Sequence, residues 1–103
     1  MTWHPLGPVT ALRFDPGACV TVAGRELAVF RAGNAYYALD NSCPHQGGAL
    51  AEGIQLGNEV VCPWHGWRFD LRTGACATVA KDATRSYRVR ESAGQLEVEL
   101  PPV

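Results

Sequence analysis

The sequence predicts an all-β fold of antiparallel strands, closed as a sandwich or barrel, and three observations predict it. Short runs of alternating or β-branched and aromatic residues recur along the chain. Glycine-containing breaks separate several of them. The longest segment without strand character, residues 41–58, contains Gly47, Gly48, Gly53 and Gly57, too many for a stable helix.

The runs are residues 18–23, 26–32, 36–40, 59–62, 67–71, 87–91 and 95–100. Trp67, Phe69 and Leu71 alternate with Arg68 and Asp70, and Leu96, Val98 and Leu100 alternate with Glu97 and Glu99, the period of a half-buried strand. Ala23-Gly24-Arg25, Ala32-Gly33-Asn34 and Ser92-Ala93-Gly94 are short enough to close hairpins, and each contains a residue tolerant of positive φ. Hairpins in series suit a β-sandwich or barrel. Residues 41–58 are expected to form a functional loop.

The chain has 103 residues, the size of one compact domain with one core. Nearly half of the residues are hydrophobic and 18% are charged, a globular composition. Nine basic against ten acidic residues give a net charge of −1, which supplies no basic field for nucleic acid and no polybasic membrane anchor. No apolar run approaches the roughly 20 residues of a membrane span. The N-terminus has no charged and apolar leader pattern, so a cytoplasmic setting is expected. In a reducing compartment, four cysteines point to metal ligation before disulfides.

Two segments carry the chemistry. Cys43-Pro44-His45 runs into Gln46-Gly47-Gly48, and Cys62-Pro63-Trp64-His65 runs into Gly66-Trp67. Each pairs a thiol with an imidazole, and residues 46–61 separate the pairs. Two such loops meeting at one end of a β scaffold would offer two sulfur and two nitrogen ligands to a metal. Glycine beside the ligands lets main-chain N–H groups approach a cluster sulfide, and proline stiffens each loop.

The pattern Cys-x-His, spacer, Cys-x-x-His-Gly resembles the signature of the Rieske family, whose strands cover essentially this whole chain. The resemblance implies a Rieske-type antiparallel β-sandwich or barrel over residues 1–103, with a small cluster-binding subdomain of two loops at about residues 41–70. It also implies one [2Fe-2S] cluster, with Cys43 and Cys62 on a buried iron and His45 and His65 on the outer one. Gln46, Gly47, Gly48, Trp64, Gly66 and Trp67 would surround it. High-potential members carry a further cysteine in each loop, joined as a disulfide. Those positions are Gly48 and Trp64 here. Such members also carry two hydroxyl donors, at positions held here by Trp67 and Phe69. A potential in the low part of the family's range, about −150 to +300 mV, is therefore expected.

By the same resemblance, the protein is an electron carrier and not itself an enzyme. With His45 and His65 committed to the cluster, only His4 remains, too few histidines for a two-histidine, one-carboxylate catalytic iron. The expected partners are a flavin-dependent NAD(P)H reductase and a terminal oxygenase, docking at the histidine tip beside Pro44, Gln46, Trp64 and the Leu50-Ala51 loop. One alternative is the small subunit of an NAD(P)H-dependent nitrite reductase, with the large subunit as partner. Another is a zinc-stabilised interaction module, although zinc sites usually pair cysteine with cysteine and histidine with histidine. Cys19 and Cys76 are expected to be buried thiols, His4 a surface residue, and residues 78–83 a covering loop without the family's usual proline.

Overall fold

The computed structural model describes residues 2–14, 16–43, 48–64, 66–78 and 83–101. The strands are β1 (Thr2–Pro8), β2 (Gly17–Val22), β3 (Arg25–Ala32), β4 (Ala35–Asp40), β5 (Ile54–Leu56), β6 (Glu59–Val61), β7 (Arg68–Asp70), β8 (Ser86–Tyr87), β9 (Val89–Ser92) and β10 (Gln95–Leu100). One-turn 3₁₀ segments occur at Val9–Ala11 and Leu50–Glu52. All pairings between these strands are antiparallel, in three sheets ordered β1-β10-β9, β2-β3-β4-β8 and β5-β6-β7.

The middle sheet is covered on both faces, and β3 shows how. Leu27, Ala28, Val29 and Phe30 are all fully buried. Successive strand residues point to opposite faces, so Leu27 and Val29 join one core with Leu96, Val98 and Leu100, while Ala28 and Phe30 join a second. That second core contains Leu39, Leu50, Val60, Cys43, Cys62 and Phe69. A continuous apolar run is thus the signature of a strand between two layers. The first core holds the sandwich together, and the second seats the β5–β7 sheet and both cysteine loops upon it.

Turn chemistry sets the register. Val22 pairs with Arg25 and Ser92 with Gln95, leaving the two-residue turns Ala23-Gly24 and Ala93-Gly94. Both residues of each turn have positive φ, 50° and 78° in the first and 52° and 78° in the second. That conformation matches the twist of the strands it joins.

The structure departs from the sequence reading in three places. β1 was not expected, because Pro5 and Pro8 argue against a strand; it lies at a sheet edge, where missing donors are tolerated, and its register shifts between Pro5 and Gly7. Residues 41–58 are not all loop, since they contain the 3₁₀ turn and β5. Residues 87–91 are divided between β8 and β9, which pair in different sheets. No helix among the described residues is long and apolar enough to cross a membrane.

Candidate metal centre

Each cysteine loop is closed by the same backbone hydrogen bond. The Cys43 N–H donates to the Gly48 carbonyl at 2.8 Å, and the Cys62 N–H donates to the Trp67 carbonyl at 2.7 Å. Both therefore join a cysteine to the residue five positions on. The first loop leaves β4 through Asn41, and Ser42 and Ala49 form an antiparallel bridge just before the closing bond. The second is the β6–β7 connection between the paired residues Val61 and Arg68. There the Gly66 N–H donates to the Cys62 carbonyl at 3.1 Å, and Gly66 has φ +72°, a conformation side chains other than glycine's seldom adopt.

The loops bring Cys43 and Cys62 together. Both are buried in the second core, with the Cys43 side chain close enough to act on the Cys62 thiol. Burial pushes the Cys62 thiol up; the Trp64 N–H pulls it down, and neighbouring Cys43 pushes it up again. Loss of the Cys62 proton in such a place calls for nearby positive charge, which a metal supplies. The space beside them suits a bulky inorganic group. A Cβ at Gly48 would lie 3.2 Å from the Cys62 Sγ and 3.0 Å from the Trp64 ring, so only glycine leaves that approach open.

Among the described residues, no group of three His, Cys, Asp or Glu side chains assembles. The donors to complete a set of four are sought in His45 and His65, which lie outside the described residues, as do Pro44, Gln46 and Gly47. Trp64 is 58% exposed beside Cys62, whereas Trp67 is half-buried against the second core and Phe69 is wholly inside it.

Other expectations need correction. Leu50 and Ala51 are buried beneath the first loop, so they support it and do not border its surface. Cys19 is exposed on β2, because its side chain points away from the first core, whereas Cys76 is buried in the second core as expected. No disulfide joins the four cysteines. His4 is half-buried in β1. Residues 79–82, most of the expected covering loop, lie outside the described residues.

Asn41 was not singled out from the sequence. It is only 2% exposed, and its side-chain Oδ1 accepts the Ala51 N–H at 2.9 Å while Nδ2 donates to Glu26 Oε1 at 2.7 Å. An asparagine where an alternating strand enters a glycine-rich loop was the available signal.

This architecture, two matched loops presenting adjoining buried thiols at the end of a β scaffold, is that of a small metal-binding β protein. A family model described as the Rieske [2Fe-2S] domain matches residues 2–91, and the chain belongs to that family. It is 36% identical over 100 residues to the anthranilate 1,2-dioxygenase ferredoxin subunit of Burkholderia cepacia, covering 95% of this chain and 92% of that one. The ferredoxin of carbazole 1,9a-dioxygenase from Nocardioides aromaticivorans superposes with a TM-score of 0.85 at 31% identity, over 95% of this chain and 97% of that one. A chain assigned as the small subunit of an NADH-dependent nitrite reductase from Mycobacterium tuberculosis superposes with a TM-score of 0.87 over 99% and 97% of the two chains, at 24% identity. At that identity the likeness is one of fold alone.

Proposed function

We propose that this protein carries single electrons from an NAD(P)H-dependent flavin reductase to a terminal oxygenase, on one [2Fe-2S] cluster held by Cys43, His45, Cys62 and His65. The observation that carries the reading is the pair of adjoining buried thiols, each at the start of a loop closed by the same hydrogen bond. When bound, such a cluster accepts and releases one electron with little nuclear rearrangement.

The chain's own residues supply the rest. Cys43 and Cys62 would hold the cluster as thiolates, and at Cys62 the metal's charge would offset the burial that pushes its thiol up. Gly48 keeps the approach to Cys62 open, while Leu50, Val60 and Phe69 exclude water from beneath the loops. His45 and His65 would hold the outer iron where a partner could approach it, and Trp64, exposed and one residue before His65 in the sequence, would anchor a small docking face. The protein acts as a single cytoplasmic domain and performs no substrate chemistry of its own.

Likeness to ferredoxin components over nearly the full length of both chains supports the oxygenase partner. The nitrite reductase reading is supported by fold alone, and none of the relatives reported above supports the zinc-module reading. The test is reconstituted turnover. With a flavin reductase, NAD(P)H and a ring-hydroxylating oxygenase, product formation should require this protein in its cluster-loaded form. Equal turnover without it would overturn the assignment as carrier.

A further inference from the structure

We propose that Asn41 is a positioning residue for the cluster cradle, tying together the two ends of the first cysteine loop, with Glu26 setting the direction of its amide. The inference rests on the proposed function, since it concerns the loop that would present Cys43 and His45.

The first loop is zipped shut at three levels. Nearest its tip, the Cys43 N–H bonds the Gly48 carbonyl; next, Ser42 bridges Ala49; at the base, Asn41 meets Leu50 and Ala51. Among the described residues of these three levels, only the base uses a side chain. The Asn41 carbonyl accepts the Leu50 N–H at 2.7 Å and its Oδ1 accepts the Ala51 N–H at 2.9 Å, so one residue holds two successive amides of the returning chain. The same residue is fixed to β3. Its N–H donates to the Glu26 carbonyl at 3.0 Å, and its Nδ2 donates to Glu26 Oε1 at 2.7 Å and approaches Cys19 Sγ at 3.6 Å.

Side-chain chemistry makes asparagine the fit. The position must accept from Ala51 and donate to Glu26, which an amide does at once and a carboxylate does not. The Glu26 carboxylate can only accept, so it selects the orientation with Nδ2 towards β3 and Oδ1 towards the loop. Because Asn41 is buried and none of the described buried side-chain nitrogen or oxygen atoms lacks a partner, losing one bond strands the others. Cys43 lies two residues beyond the clamp, so slack at the base moves the ligand.

The test is a reciprocal exchange of the two side chains. Asn41→Asp sets a carboxylate against Glu26 and should speed hydrogen exchange at the Ala51 amide of the metal-free protein by about tenfold or more. Combining it with Glu26→Gln keeps the net charge and reverses the bond, with the new glutamine donating to the new aspartate, which still accepts from Ala51. Exchange should then return to within about threefold of the parent protein. Cluster loss to an iron chelator, measured on the loaded proteins, should rise in the single variant and fall again in the double. Parent-like exchange in Asn41→Asp, or no recovery in the double variant, would overturn the clamp. Restored exchange with unchanged cluster loss would make Asn41 structural only. The exchange arm needs no iron, so a protein that never binds iron would defeat the proposed function and leave the clamp measurable.

Discussion

Gly48 and Trp64, one from each cysteine loop, are in direct contact: a Cβ built on Gly48 would stand 3.0 Å from both Cγ and Cδ1 of the Trp64 indole. Trp64 is over half exposed, yet one edge of its indole lies against Gly48, at the two positions where the family resemblance implies a disulfide in high-potential members. Those positions are held here by a glycine and an aromatic ring.

That geometry puts the two Cβ positions no more than about 4.5 Å apart, within disulfide reach. The double substitution Gly48→Cys with Trp64→Cys should therefore form a cross-link between the loops. Thiol titration of the oxidised variant, denatured without reductant, should find no more reactive thiols than in the parent. Two additional thiols would mean that the loops are not apposed as described.

Trp64 is the sole exposed tryptophan among the described residues, and a partner could desolvate it fully on docking. Trp64→Asp should slow electron transfer to the oxygenase by about tenfold or more, with the cluster's visible spectrum unchanged. Stopped-flow oxidation of the reduced protein measures both. Loss of the spectrum would place Trp64 in cluster retention instead.

The alanines of the tight turns offer a stability test remote from the cluster. Ala23 and Ala93 sit at φ 50° and 52°, where an alanine side chain is strained and asparagine is better accommodated. Ala23→Asn and Ala93→Asn should each stabilise the protein by about 0.5–1 kcal/mol in urea unfolding. A loss of stability in either would contradict the turn geometry.

Alkaline stability reports on Tyr87. Its hydroxyl donates to Asp40 Oδ1 at 2.7 Å and accepts from Arg25 Nη1 at 3.1 Å. Burial and then the Asp40 carboxylate push the phenol above 10.0, with Arg25 opposing. The unfolded phenol therefore ionises first, so stability present below pH 10 falls as pH rises through the folded value. Tyr87→Phe should cost about 1 kcal/mol at neutral pH and flatten the loss above pH 10. An equally steep alkaline loss in the variant would remove Tyr87 as its cause.

Strand alternation and glycine turns made most of the two larger sheets legible, because side-chain period and turn conformation are local properties. β1 was hidden by prolines that only its edge position tolerates. β5 was hidden by a glycine-rich setting, although Ile54-Gln55-Leu56, followed by Gly57-Asn58 and Glu59-Val60-Val61, has the form of a hairpin. Even a correct strand assignment would have turned it over. Gln55 is the partly buried residue of the three, donating to the Arg31 carbonyl on β3 at 2.8 Å, while Ile54 and Leu56 are 63% and 54% exposed. The thiols of the site were legible because cysteine and histidine at fixed spacing name their own chemistry. Asn41 was not, since its importance arises from β3 and the returning loop converging on it.

Mixed nitrogen and sulfur ligation of one two-iron cluster is tested by EPR with nitrogen-resolved hyperfine spectroscopy on the dithionite-reduced protein, alongside iron and acid-labile sulfide analysis. Two irons and two sulfides per chain are expected, with strong coupling to two histidine nitrogens, both couplings being lost with the cluster when His45 and His65 are replaced by alanine. A reduced cluster without strongly coupled nitrogen, or a colourless protein holding zinc that iron and sulfide cannot convert, would contradict that ligation.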